Sequence, residues 1–160
     1  MTPAVDQLTA LAIPHRTLSY RHDPASESYG TEAAVALGLD PDSVFKTLLA
    51  QLSGMPGGGS LVVALVPVTG KLDLKALARA AGAKKAEMAP PALAERTTGY
   101  VVGGISPFGQ KKKLATYVDE TVELLDVVHV SAGRRGLEIS LSPEDLIRVL
   151  DAAVAPIAAA

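Results

Sequence analysis

Two strongly apolar runs, Val44–Leu52 and Leu61–Val68, flank the glycine-rich stretch Gly54-Met-Pro-Gly-Gly-Gly-Ser60, and this arrangement does most to restrict the fold. Valine- and leucine-rich runs joined by a short glycine segment read as a β-hairpin. The chain therefore has to assemble a core around an antiparallel strand pair, with the glycine loop exposed and dispensable. The stretch lacks the Gly-Lys-Ser/Thr ending of a phosphate-binding loop, so it is read as a turn only.

The remaining patterns interleave helices and strands. Pro3 follows Thr2 at a helix start, Val5, Leu8, Leu11 and Ala12 repeat at helical spacing, and Pro14 ends the run. His15–Tyr20 alternates like a strand, Asp23–Ser28 is a polar loop, and Thr31–Leu37 is a short helix closed by Gly38. Asp73–Ala81 is an amphipathic helix closed by Gly82, and Pro90-Pro91 opens another through Arg96. Strands are expected at Tyr100–Gly104, Ala115–Val118, Val127–Ser131 and Gly136–Leu141. Ser142-Pro143-Glu144-Asp145 caps a last helix, with a hydroxyl for free N–H groups and acids at the positive end of the dipole. Without strict βαβ alternation, the expected fold is α/β: a curved, mixed, largely antiparallel sheet surrounded by helices, in one domain over residues 1–160.

Composition narrows the function classes. A hydrophobic content of 48% with 20% charged residues excludes a disordered or fibrous chain. There is no cysteine, which excludes disulfides, Cys-ligated zinc and a protein thiol nucleophile. The N-terminus has no basic stretch followed by an apolar one, and no run is long enough to span a bilayer, so a cytoplasmic protein without a membrane partner is expected. A net charge of −2 argues against a broad nucleic-acid footprint, but not against a grip on the end of an RNA. The basic residues cluster at Lys84-Lys85, Lys111–Lys113 and Arg134-Arg135, which gives a local positive face.

Two features carry chemistry. In Val44-Phe-Lys-Thr-Leu-Leu49 one ammonium, Lys46, sits among apolar neighbours. Alternation puts Val44, Lys46 and Leu48 on one face and Phe45, Thr47 and Leu49 on the other. If the Leu48 face is buried, Lys46 lies at a pocket edge and needs an anionic or polar partner; otherwise it extends into solvent. The second is Gly99-Tyr-Val-Val-Gly-Gly-Ile-Ser-Pro-Phe-Gly-Gln-Lys-Lys-Lys113. Its paired glycines, Gly103 and Gly104, permit a ligand to approach main-chain N–H groups, or the run is a glycine turn with a solvated lysine tail. His15, His22 and His129 lack metal-ligand spacing, and Ser106 and Ser131 lie in no nucleophile-elbow pattern. No ligand cluster argues for a metal or a cofactor.

Taken in order, Thr2-Pro-Ala-Val, Val44-Phe-Lys-Thr-Leu, Leu72-Asp-Leu-Lys, Gly82-Ala-Lys-Lys-Ala-Glu-Met, Thr98-Gly-Tyr-Val-Val-Gly-Gly-Ile-Ser-Pro-Phe-Gly-Gln-Lys-Lys and Val130-Ser-Ala-Gly-Arg-Arg-Gly-Leu-Glu-Ile closely resemble the YbaK family. These are Cys-tRNA(Pro)/Cys-tRNA(Cys) deacylases related to the editing domain inserted in bacterial prolyl-tRNA synthetases. The resemblance spans essentially the whole chain. It implies a mixed α/β fold around a curved sheet and hydrolysis of the ester joining a misplaced amino acid to the 3′ end of tRNA.

It further implies roles for individual residues. Lys46 corresponds to the family's essential lysine and Tyr20 to its pocket tyrosine. Gly103 and Gly104 correspond to the segment whose backbone lines the site, continued by Ser106 and Pro107 on the substrate side. Glu138 stands where the family usually has aspartate, so its carboxylate is displaced by about one methylene. Lys111, Lys112 and Lys113 face either the terminal tRNA phosphates or solvent. Lys46 either orients a phosphate or ribose or stabilises developing charge, and the sequence leaves both open. The resemblance implies that the substrate's own thiol attacks its ester, which suits a chain without cysteine. The implied partners are the aminoacylated tRNA 3′ end and a complex with prolyl-tRNA synthetase and tRNA. Two alternatives stand beside this reading: a deacylase of another mischarged tRNA such as Ala-tRNA(Pro), and a non-catalytic binder or adaptor of the aminoacyl-tRNA end.

Overall fold

The computed structural model describes residues 1–26, 29–57 and 60–160. Glu27 and Ser28, the end of the polar loop, and Gly58 and Gly59 of the glycine turn lie outside the described residues. Five helices are α1 (Pro3–Ala10), α2 (Tyr29–Leu37), α3 (Leu74–Ala81), α4 (Pro91–Thr98) and α5 (Pro143–Leu150). The strands are β1 (Arg16–Ser19), β2 (Phe45–Ser53), β3 (Ser60–Pro67), β4 (Lys71–Leu72), β5 (Lys85–Met88), β6 (Ala115–Asp119), β7 (Val128–Arg134), β8 (Leu137–Leu141), β9 (Ala153–Ala155) and β10 (Ala158–Ala159).

The hairpin forms as the glycine turn requires: β2 and β3 pair antiparallel from Phe45–Pro67 to Leu52–Ser60. It is the centre of a five-stranded sheet ordered β5-β2-β3-β6-β9. A second sheet, β1-β8-β7, is antiparallel throughout, and β10 pairs with β4. Among the described strand pairs only β3–β6 and β6–β9 run parallel, so the mixed, largely antiparallel expectation holds.

Why β3 reads as an unbroken apolar run is clear from its two faces. Val63 and Leu65 enter one core cluster with Phe45, Leu49, Val130 and Ile139, while Val62, Ala64 and Val66 enter another with Ala50, Leu77 and Ile157. A strand covered on both faces has no polar alternation to display.

Helix ends follow local chemistry. Asp73 and Ser142 accept from Ala76 N–H and Asp145 N–H at 3.1 Å each, and Thr2 accepts from Val5 N–H at 3.3 Å. The same Thr2 hydroxyl donates to Ala132 C=O at 2.6 Å, which fastens α1 to β7. Helix α1 stops at Ala10, a turn before Pro14, because the chain already turns at Ala12 with φ 56°. Gly38 and Gly82 take left-handed backbone, as expected.

One expected element is corrected. Tyr100–Gly104 is a turn and not a strand. Its N–H groups are taken locally, Val102 by the Glu95 carboxylate at 2.8 Å and Gly104 by Val101 C=O at 2.8 Å, so no ladder can form. Four short strands, β4, β5, β9 and β10, have no counterpart in the sequence reading. No helix among the described residues is long and apolar enough to cross a membrane.

Candidate active site

The two larger sheets meet along one edge of β2. At its start an isolated parallel bridge joins Val44 to His129 of β7, and at its end Ala50–Ser53 pair with β5. Between those points this edge of β2 has no paired strand among the described residues. The sheets diverge there, and the gap is a cavity of about 530 Å³. Its floor is Val44–Leu49, its apolar end is Met88, Ala89, Pro91, Ala94 and Ile105, and its polar end is Tyr20, Lys46, Thr47, Ser131, Arg134 and Glu138.

Lys46 is half-buried and makes no hydrogen bond or ion pair among the described residues. Burial, and then the charge of Lys71, hold its ammonium below the ordinary lysine range. An anion or a carbonyl oxygen beside it would reverse that penalty. Glu138 is only 6% exposed, and burial pushes its carboxyl up to about 8. Its strand partners are Leu18 on β1 and Ser131 on β7, neither of which bonds its free oxygen, Oε2. Tyr20 follows β1 into the cavity. Its phenol is raised chiefly by burial and also by Glu138 and Glu32, against a lowering by the Gly136 backbone. Thr47, also in the lining, carries a second buried, unbonded oxygen, Oγ1.

The glycine loop forms the opposite side. Gly103, with φ 92°, lines the cavity, and its N–H has no partner among the described residues. Gly104 does not line it. The expectation of a main-chain donor at Gly104 is corrected, since that N–H is bonded to Val101 C=O. What Gly104 provides is close approach: a Cβ there would sit 2.9 Å from Arg134 Cα. The Arg135 guanidinium fixes the same contact by donating to Val102 C=O at 2.8 Å.

Ser106 and Pro107 are buried outside the lining. The Ser106 hydroxyl accepts Phe108 N–H at 3.2 Å, and its carbonyl accepts Gln110 Nε2–H at 2.9 Å, so Ser106 braces the loop and faces no ligand. Lys111, Lys112 and Lys113 are exposed and do not border this cavity; Lys113 borders a separate shallow depression with Tyr117 and Asp151.

The structure thus brings Lys46, Tyr20, Gly103 and Glu138 together and leaves Gly104, Ser106, Pro107 and the lysine run outside. The residues it adds are Thr47, Ser131 and Arg134. For Thr47 a signal existed: strand alternation set its hydroxyl between Phe45 and Leu49, both buried. A Ser–His contact, His129 Nδ1 with Ser140 Oγ, lies outside the cavity lining and is buried. Burial, with Arg16 nearby, holds that imidazole below its usual range. No cluster of metal-ligating side chains occurs among the described residues.

With this geometry in hand, known proteins give the following matches. Residues 23–149 match the aminoacyl-tRNA editing domain family. EbsC of Enterococcus faecalis, named as a candidate Cys-tRNA(Pro)/Cys-tRNA(Cys) deacylase, is 42% identical over 124 residues, which are 78% of this chain and 73% of EbsC. ProXp-y of Escherichia coli, named as a multifunctional Ser/Thr-tRNA deacylase, is 30% identical over 105 residues, 65% of this chain and 62% of that protein. A solved structure described as a candidate trans-editing enzyme for prolyl tRNA synthetase superposes with a TM-score of 0.77 at 25% identity, covering 100% of this chain and 99% of that one.

Proposed function

The chain belongs to the aminoacyl-tRNA editing domain family and is an aminoacyl-tRNA deacylase, and we propose that its principal substrate is Cys-tRNA(Pro). The observation that carries this reading is the meeting of Lys46, Thr47, Gly103 and Glu138 in one cavity of a chain 42% identical to EbsC. The cavity is large enough for an aminoacyl group together with part of the terminal adenosine, within the usual range for small-ligand sites.

Ester hydrolysis needs charge stabilisation at the carbonyl oxygen as the bond to the 3′-oxygen breaks. Lys46, already penalised by burial, supplies a cation for that oxygen or for the adjoining phosphate, and Gly103 N–H supplies a main-chain donor. The nucleophile is the thiol of the bound cysteine. Its sulfur attacks its own carbonyl carbon, the ester C–O bond breaks, and the thiol proton is passed to the departing 3′-oxygen. A small thiolactone is released, which water then opens. The absence of cysteine from the chain is consistent with a thiol brought by the substrate. A partnership with prolyl-tRNA synthetase, which would deliver tRNA to a mildly acidic protein, belongs to the same proposal. It is checked by pull-down with the synthetase and tRNA(Pro), charged and uncharged.

The E. coli relative supports a second reading, in which hydroxyl amino acids are removed. Side-by-side deacylation of Cys-, Ser-, Thr- and Ala-tRNA(Pro) separates the two. Cysteine fastest, with alanine near background, is expected. Equal rates for cysteine and alanine rule out thiol assistance, and serine or threonine fastest moves the assignment to the second reading. Binding without turnover makes the protein a carrier of the aminoacyl-tRNA end.

A further inference from the structure

Two buried side-chain polar atoms lack a hydrogen-bond partner among the described residues, Thr47 Oγ1 and Glu138 Oε2. They come from different strands, β2 and β8, yet both residues line the one cavity. A buried, unbonded carboxyl oxygen is costly, because it has lost water and gained nothing in exchange. The protein has ways to satisfy it and uses none. Lys46 and Arg134 line the same cavity but make no ion pair with Glu138. Ser131, its partner in the β7–β8 register, turns its Oγ to accept Gly133 N–H at 3.2 Å. Glu138 thus stands in the cavity lining with its Oε2 buried and unbonded.

The chemistry of an aminoacyl-tRNA end indicates what would fill that opening. Its phosphates and ester carbonyl bring only acceptors, which a carboxylate repels and a protonated carboxyl can meet with a single O–H. Its one cationic group is the α-amine. Protonated, it offers three N–H donors and no acceptor, the complement of two unbonded oxygens, one of a carboxylate and one of a hydroxyl. We infer that Thr47 and Glu138 form the subsite for the α-amino group of the bound aminoacyl ester and confine hydrolysis to esters whose amine is free. The inference deepens the deacylase reading and rests on it.

The protonation works out without an external acid. A neutral amine meeting the carboxylic acid, or an ammonium meeting the carboxylate, gives the same bound pair. Acylating the amine removes the charge and two of the donors and adds bulk beside Thr47 and Glu138. Esters carrying an N-acyl group, such as initiator or peptidyl ends, are therefore excluded from turnover.

The test measures kcat/KM for Cys-tRNA(Pro) and N-acetyl-Cys-tRNA(Pro), which keep the same thiol. Wild type is expected to favour the free amine by at least about 100-fold, the scale on which polar sites reject analogues lacking their partner. Glu138→Gln, which preserves shape but not charge, should shrink that preference to below about 10-fold, and Thr47→Val should shrink it partway. If Glu138→Gln slows both substrates alike and leaves the ratio intact, Glu138 serves the reacting atoms or the ribose, and the inference is overturned. Wild type cleaving both substrates equally overturns it too.

Should the variant be too slow to assay, binding replaces turnover. The probes are the amide-linked 3′-cysteinylamino analogue of the terminal adenosine and its 3-mercaptopropanoyl counterpart, which lacks only the amine. Wild type should prefer the amine-bearing probe and Glu138→Gln should bind the two alike; an equal preference in both proteins defeats the subsite. Failure of the underlying reading looks different, because then wild type hydrolyses no aminoacyl-tRNA at all.

Discussion

The cavity has two sides built on opposite principles. The loop side, residues 99–113, is largely satisfied by its own and neighbouring groups, Gly103 N–H excepted. Tyr100 Oη donates to Phe108 C=O at 2.7 Å, Gly109 N–H donates to Gln7 Oε1 at 2.7 Å, and Ser106, Gln110 and Gly104 bond within the loop. The strand side leaves Lys46, Thr47 Oγ1 and Glu138 Oε2 without partners. The most conspicuous motif in the sequence is therefore mainly a brace, and most of the unmet hydrogen-bonding capacity stands on strands that read as ordinary core. Rigid regular elements hold reactive groups more accurately than loops do, and here the loop's bonds are spent in holding it against α1 and the end of β7.

This contrast is open to attack from several directions. The largest effect is expected at Lys46: Lys46→Ala should lower deacylation by about 100- to 1000-fold, the cost of removing one stabiliser of developing charge. Folding should be little changed, since the side chain has no protein partner. Single-turnover assays with a thermal melt alongside check it, and a loss below tenfold would mean that the strand side does not carry the chemistry.

Next comes the pH dependence of stability at Glu138. Its folded value of about 8 lies above the ordinary 4.5, so the native state holds the proton more tightly than the unfolded chain. The stability this brings is fully present below about pH 4.5, declines as pH rises, and is gone above about pH 8. The span is on the order of 5 kcal/mol across that window. Tyr20, beyond β1, feels its charge, and Lys46 on β2 with Ser131 and Arg134 on β7 line the same cavity. Urea unfolding at pH 5 and pH 8.5 should show wild type losing stability relative to Glu138→Gln, and parallel curves would contradict a buried, protonated carboxyl.

On the loop side the expected effects concern stability. Gly104→Ala drives a Cβ to 2.9 Å from Arg134 Cα and 3.0 Å from Arg135 N, against backbone that cannot swing aside. About 1–3 kcal/mol of destabilisation is expected, with the loop displaced from β7. Tyr100→Phe deletes one buried bond and should cost about 1 kcal/mol by denaturant titration. Replacing Lys111, Lys112 and Lys113 together by serine should change kcat/KM by less than about threefold at physiological salt, because exposed charges outside the cavity are screened. A larger drop, growing at low salt, would bring the lysine run into tRNA binding after all.

Much of this was legible in the sequence, for identifiable reasons. The hairpin was readable because a two-faced apolar strand and a glycine turn are local signals. Lys46 stood out because a charge in such a strand conflicts with its surroundings. The strand expected at Tyr100–Gly104 failed because valine pairs suggest extension, whereas the Glu95 carboxylate and Val101 C=O capture the N–H groups a ladder needs. The strands β9 and β10 were hidden in an alanine-rich tail of weak β-propensity. Their pairing depends on Asp119, whose Oδ1 accepts Ile157 N–H at 3.0 Å and Ala158 N–H at 2.9 Å from the far end of the chain. No local pattern announces such a contact. Thr47 was overlooked because a threonine in a strand is unremarkable until both its neighbours prove buried.

The change of partner along β2 has one more consequence. Since the cavity is the fork where two sheets part company, its width is governed by the twist of a strand anchored at both ends, at Val44–His129 and Ala50–Met88. Lengthening the surrounding loops would not enlarge it, and evolution toward a bulkier amino acid would have to proceed by trimming side chains on the floor. Selectivity in such a protein is a property of the tines of a fork, adjustable one residue at a time while the handle stays fixed.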